Sequence, residues 1–262
     1  MSSAHLSQRQ QDILDQIASG GAQQIEELAR RYGLTTQSIR RDINVLCGLG
    51  LARRLHGGVD LPVLPLNSPV HTRSLLQSAA KRRIGAKIAE LIPDGSTVFL
   101  GIGTTVQATA GALREHSDLT VVTNNVEVAM VLGAAPGIRL HVTGGVWRPN
   151  DRDVVGLDAI RYFEKFHATH AVVGAGGLNP QAGALDFSQG DAQISNGILA
   201  NSRIRILAAD ATKWDLAAAV RIAPFSAFSC FVTDRLPENP EASRRLNESG
   251  IRVIVCNAPE TE

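Results

Sequence analysis

Between residues 97 and 255, seven short apolar runs alternate with helical stretches, and no other feature limits the fold as tightly. The runs are Thr97–Leu100, Leu119–Thr123, Ile138–Thr143, Thr169–Gly174, Ile204–Ala209, Phe228–Thr233 and Ile251–Val255. A run without polar alternation reads as a strand buried on both faces, and strands spaced by helices pair in parallel. The expected class is therefore α/β, a mainly parallel sheet covered on both sides, with ligands held beyond the carboxyl ends of the strands. A helix carrying Ile84, Ile88 and Leu91 leads in and stops at Pro93-Asp94-Gly95. A length of 262 residues leaves room for a second, smaller domain.

That smaller domain is legible upstream. Ser7-Gln8-Arg9-Gln10 has the spacing of a capping box and opens a helix with the apolar stripe Ile13, Leu14 and Ile17. Ser19-Gly20-Gly21 ends it. Ile25, Leu28, Ala29 and Tyr32 mark a second helix, stopped at Gly33. Thr35 caps a third, with Ile39, Ile43 and Leu46 pointing inward. The tight turn between the last two makes a helix-turn-helix. Leu51–Leu55 and the turn residues Gly57-Gly58 add a hairpin, which would be a wing. Pro62, Pro65 and Pro69 then mark a linker. The division is 1–60 for the winged helix-turn-helix, 61–73 for the linker and 74–258 for the larger domain.

The total charge is +1, but its distribution is uneven. Residues 1–29 carry a net charge of −3, and residues 30–58 a net of +5, from six arginines against Asp42. This is a local basic footprint for double-stranded DNA. Thr36, Gln37, Ser38, Arg40 and Arg41 lie off the apolar stripe of the third helix and form its reading face. Gln37 suits adenine and arginine suits guanine. Arg53, Arg54 and His56 on the wing suit phosphates or an adjacent minor groove. The competing readings are a helix-surface ion pair for Arg40 or Arg41 and a turn-stabilising role for His56. Cys47, Cys230 and Cys256 are odd in number, widely spaced and without ligand partners, so reduced thiols, a cytoplasmic protein and no metal are expected. Neither a secretory leader nor a membrane-spanning run is evident.

In the larger domain, polar groups follow strand after strand. Gly101-Ile102-Gly103-Thr104-Thr105 leads into a helix, where glycine amides, threonine hydroxyls and the helix N-terminus suit a phosphate or carboxylate. It lacks the third glycine of a dinucleotide loop and the Gly-Lys-Ser/Thr of a P-loop. Thr123-Asn124-Asn125, Thr143-Gly144-Gly145, Asp186 in Gly183–Asp186, and Asp210-Ala211-Thr212-Lys213 are the other pieces. Five such segments point to one ringed site, in which Lys213 binds phosphate as a point charge and an aspartate orients hydroxyls.

Two motifs carry a family resemblance at the amino end: Ser38-Ile39-Arg40-Arg41-Asp42-Ile43 with Leu46, and Leu55-His56-Gly57-Gly58-Val59. They resemble the DeoR family of bacterial repressors, with Thr35-Thr36 in place of its usual Val-Ser. Lys81-Arg82-Arg83-Ile84, Gly101–Thr105, Val122-Thr123-Asn124, Gly144-Gly145-Val146-Trp147-Arg148 and Asp210–Lys213 resemble that family's C-terminal domain along essentially all of residues 75–256. The resemblance implies a sensor fold related to ribose-5-phosphate isomerase and coenzyme A transferases, and a phosphorylated sugar or polyol as effector. It adds Lys81, Arg148 and Asp191 to the effector residues. Ile92–Thr97, Val122–Asn125 and Leu185-Asp186-Phe187 look most like the glycerol-3-phosphate branch. Gly101 stands where the family carries Asp, and Asp191 where it carries Glu. Trp147 is expected to pack, the other option being a place near the pocket.

The expected function is a DNA-binding regulator, a repressor, controlled by that effector and acting as a dimer or tetramer assembled through the larger domain, with no cofactor. The alternative is a sugar-phosphate isomerase with a DNA-binding head, its base drawn from Asp186, Asp191, Asp210 and Lys213. Ala175-Gly176-Gly177-Leu178-Asn179 contains no acid where isomerases of the implied fold carry aspartates, so no enzyme is expected. A DNA-binding protein without an effector is the third reading, opposed by the polar strand ends.

Overall fold

The computed structural model describes residues 6–62 and 68–256. Backbone contacts divide the chain into two units, Met1–Ala79 and Ala80–Glu262.

In the first unit, α1 (Gln8–Gly20) begins at Ser7, whose side chain accepts from the Gln10 amide while the Gln10 side chain accepts from the Ser7 amide. β1 (Gln23–Gln24) is followed by α2 (Ile25–Tyr32), which ends at a left-handed Gly33. In α3 (Thr36–Gly48), Thr35 accepts from the Ser38 amide. β2 (Arg53–Leu55) and β3 (Gly58–Asp60) form the expected hairpin, and β1 joins β3 as a third strand. Two polar residues give no strand pattern, so β1 is invisible in the sequence. Ile13, Leu14, Ile17, Leu28, Ile39, Ile43, Leu46, Leu51 and Val59 make one core. Each helix buries one stripe, and the apolar area removed from water stabilises by about 25 cal/mol per Å². The expected linker 61–73 is partly helical: α4 (Val70–Leu75) starts just after Pro69. Its Leu75 and the following Leu76 pack on the same core, and Gln11 Nε2 donates to the Leu75 carbonyl at 2.6 Å. Positions 63–67 of that linker, and 257–258 at the other end of the larger domain, lie outside the described residues.

The second unit is built on α5 (Ser78–Ala89), β4 (Thr97–Leu100), α6 (Thr104–Leu113), β5 (Leu119–Thr123), α7 (Val126–Leu132) and β6 (Ile138–Val142). A hairpin of β7 (Val146–Arg148) and β8 (Asp153–Val155) leads to α8 (Leu157–Phe163) and β9 (Ala168–Val173). Then come β10 (Gly177–Asn179), β11 (Gly183–Asp186), α9 (Gln189–Ala200), β12 (Ser202–Ala208), β13 (Val220–Ala223), β14 (Cys230–Thr233), α10 (Pro240–Glu248) and β15 (Arg252–Val255). The seven expected runs are the seven strands of one parallel sheet, in the order β15-β14-β12-β9-β4-β5-β6. Phe99, Val122, Ala171 and Phe231 pack toward α8, α9 and Phe163 on one side. Val98, Val121, Val172 and Val232 pack toward α5, α6 and α7 on the other. A smaller sheet, β10-β11-β13, lies against the first of these cores through Leu178, Ala184 and Ile222. The chain winds outward in one direction from β4 and in the other from β9. Between those two neighbours the order reverses, which is where sheets of this kind open a ligand crevice.

Candidate DNA interface and effector site

On α3, Gln37, Arg40 and Arg41 are exposed, and Thr36 and Ser38 are half-buried. The Ser38 hydroxyl is shared with the cap, 3.1 Å from the Thr35 hydroxyl. Neither Arg40 nor Arg41 forms an ion pair among the described residues. The reason is Asp42, 5% exposed and turned inward, where it accepts from Arg9 Nε at 2.7 Å and from Gln10 Nε2 at 3.2 Å. Sequence reasoning missed this clamp; the signal available was a lone basic residue, Arg9, inside a capping box. On the wing, Arg54 and His56 are exposed, and His56 makes no hydrogen bond among the described residues. Arg53 is tied to Asp60 at 2.8 Å and to the Leu61 carbonyl at 2.9 Å, so it braces the hairpin.

In a parallel sheet, all carboxyl ends lie on one rim. The loops after β4, β5, β6, β9 and β12 therefore share it, and the sequence-derived residues sort along it into three groups. The first is charged. Asp210, 1% exposed, follows β12 and accepts from the Thr212 amide at 3.1 Å and from the Thr212 hydroxyl. Burial pushes its carboxyl up, but Lys81, Lys213 and the Thr212 bonds outweigh burial and hold it below the ordinary carboxylate range. Lys81 on α5 is itself 5% exposed, and Lys213 is half-buried in the 3-10 turn Ala211–Asp215.

The second group is the crevice at β4 and β9. The Gly101 amide donates to the Val172 carbonyl at 3.0 Å, and Gly103 precedes Thr104 at the start of α6. A Cβ on Gly101 would stand 3.3 Å from Ile198 Cδ1, so a larger residue there needs Ile198 to give by a few tenths of an ångström. Thr105 is buried, with its carbonyl accepting from Thr109. Thr123 donates to the Leu100 carbonyl at 2.7 Å, and Asn125 Oδ1 accepts from the Glu127 amide at 3.0 Å as the cap of α7. Thr123 and Asn125 thus hold the loops in place. Asn124, fully buried, donates to the Val154 carbonyl at 2.9 Å, and its Oδ1 has no hydrogen-bond partner. Thr143 Oγ1 is likewise buried and unpartnered.

The third group departs from expectation. Arg148 is committed to the protein, donating to Asp153 through Nε at 2.8 Å and Nη2 at 2.6 Å, with Asp191 Oδ1 2.6 Å from Nη2. Burial works against its charge, but the two aspartates outweigh it and hold the guanidinium above its ordinary value. Arg148 and Asp191 therefore pin the β7–β8 hairpin to the first turn of α9. Asp191 reaches Arg148 despite being one methylene shorter than the family's glutamate. Gly144 and Gly145 are exposed, and a Cβ on Gly145, at φ 136°, would stand 2.4 Å from the Val155 carbonyl; this glycine closes the hairpin. Trp147 is 49% exposed, which corrects the expectation that it packs. Asp186, 7% exposed, accepts from the Phe187 amide at 2.8 Å and lies against Gly176, so an acid does reach the loop that contains none of its own.

A winged helix-turn-helix with two exposed arginines on its third helix, and a separate α/β unit with polar groups at its strand ends, define a DNA-binding regulator with a sensor. Residues 9–63 match the DeoR-like helix-turn-helix domain, and residues 76–235 match the DeoR C terminal sensor domain. The chain is 35% identical over 249 residues to the glycerol-3-phosphate regulon repressor of Escherichia coli, covering 95% of this chain and 98% of that protein. It is 34% identical to the HTH-type transcriptional repressor CsqR of the same organism, over 94% of each. The chain belongs to the DeoR family of transcriptional regulators. Ribose 5-phosphate isomerase A from Methanocaldococcus jannaschii aligns at 14% identity over 52% of this chain and 54% of that chain, with a TM-score of 0.39, too loose a likeness to carry weight. No helix among the described residues is long and apolar enough to cross a membrane.

Proposed function

We propose that this chain is a repressor whose hold on its operator is set by a phosphorylated sugar or polyol bound at the strand ends of the larger unit, and that it catalyses no reaction. The observation that carries the effector is the buried Asp210, whose charge Lys81 and Lys213 favour. A carboxylate can orient ligand hydroxyls, while lysines and the start of α6 meet phosphate. Lys81, Gly103, Thr104, Asp210 and Lys213 make the contacts; Arg148, Asp191, Thr123, Asn125 and Gly145 shape the loops that hold them. Two heads are needed to read two half-sites about 34–36 Å apart. The relative named for the glycerol-3-phosphate regulon makes glycerol 3-phosphate the first ligand to try.

A thermal-shift panel of phosphorylated sugars and polyols tests the reading. It predicts a rise in melting temperature with at least one of them, and none with the unphosphorylated compounds. A panel that leaves the melting temperature unchanged overturns it. The isomerase reading has one supporting observation, Asp186 beside the loop after β9. Turnover of ribose 5-phosphate, lost in Asp186→Asn, would establish it in place of the repressor-only account.

A further inference from the structure

We infer that Asp42 is a positioning residue for operator recognition: it fixes the angle at which α3 presents Gln37, Arg40 and Arg41, by clamping α3 to the first turn of α1. The carboxylate has three donors. Arg9 reaches Oδ2 through Nε at 2.7 Å and Oδ1 through Nη2 at 3.3 Å, and Gln10 Nε2 reaches Oδ1 at 3.2 Å. Gln10 is also the third helical residue of α1 and closes its capping box, its Oε1 accepting from the Ser7 amide at 3.0 Å. Both ends of the Gln10 amide are therefore spent, one on starting α1 and one on holding α3.

The apolar stripe of Ile39, Ile43 and Leu46 buries one side of α3, but apolar packing has little directional preference. A two-point guanidinium–carboxylate fork does have one. A rotation of ~20° about the helix axis moves a side-chain tip ~6 Å from that axis by about 2 Å. That is enough to break a bidentate contact to a base edge while leaving attraction to phosphates almost unchanged. The clamp also occupies the one carboxylate on α3, which keeps Arg40 and Arg41 available for DNA.

The experiment compares the full-length wild type with Asp42→Asn, Arg9→Met and the double variant. The probes are a duplex selected by the wild type from a random-sequence library and a scrambled duplex of the same length. Affinities come from fluorescence anisotropy, with thermal melts alongside. We expect each single variant to lower affinity for the selected duplex about 10-fold or more, while binding to the scrambled duplex changes less than about threefold. The double variant should lose no more than the worse single variant, because both remove one interaction. An unchanged ratio of selected to scrambled affinity, equal losses on both duplexes, or additive losses would each overturn the inference. If Asp42→Asn unfolds the head, Arg9→Met decides alone. Its side chain is 43% exposed, so its removal leaves no buried void; a fall in the ratio supports the clamp and an unchanged ratio refutes it.

Discussion

A carboxylate as buried as Asp210 keeps its charge only with cations and hydrogen-bond donors around it. Lys81, Lys213 and Thr212 supply them. The depressed folded value sets the sign of the pH dependence. The unfolded chain takes up the proton first as pH falls, so the stabilisation is complete above the ordinary carboxylate range and is lost as pH drops toward the folded value. Between about pH 5 and about pH 3, the wild-type melting temperature should therefore fall further than that of Asp210→Asn. Parallel falls in scanning calorimetry would show that the carboxylate is not held as described. Lys213→Ala should bind operator DNA as the wild type does, yet bind phosphorylated effector about 10–100-fold more weakly, the worth of one charge-assisted contact. Titration calorimetry checks this, and wild-type affinity would place the anion elsewhere. Legibility at this scale was uneven. Lys213 and Asp210 are visible as charges after a strand. Arg148 looks just like an anion ligand in the sequence, because its partners Asp153 and Asp191 lie 5 and 43 positions away, each on another element.

At the scale of elements, the sheet was readable because its central strands β4, β9 and β14 are largely buried, so apolar residues dominate them, while the edge strand β6 alternates and is only partly buried. The three- and four-residue strands β7, β8, β10, β11 and β13 were not, since pairing across hairpins and to distant partners makes them strands rather than any local pattern. Nor did the prolines upstream reveal α4: Pro69 stands at its N-cap, one residue before the helix, and closes the proline stretch. The first helix was legible from its cap and apolar stripe, and Ser7→Ala should cost about 1 kcal/mol in denaturant unfolding. The crossing of α5 over α6 is tighter. A Cβ on Gly85 would stand 2.7 Å from the backbone of Ala108 and Thr109, which belong to the helix that begins at Thr104. Gly85→Ala should destabilise by about 1–3 kcal/mol and displace the start of α6, weakening phosphate binding as well. Melting curves with and without inorganic phosphate would show both effects; an unaffected melting temperature would mean that the helices part at little cost.

At the scale of the whole molecule, the basic segment lies in one unit and the residues proposed to hold the effector in the other, so regulation requires that each ligand alter the free energy of binding the other. An effector that bound both arrangements equally would shift nothing. Arg41→Ala should abolish operator binding while light scattering shows the same oligomer as the wild type. Retained affinity would count against α3 as the reading helix. The most direct measurement is the operator dissociation constant with and without saturating effector, for the wild type and for Lys213→Ala, at one fixed salt concentration. The expected result is a loss of affinity of about 5- to 150-fold in the wild type and a far smaller one in the variant at the same effector concentration. Operator affinity that no phosphorylated sugar or polyol changes in the wild type would contradict the account.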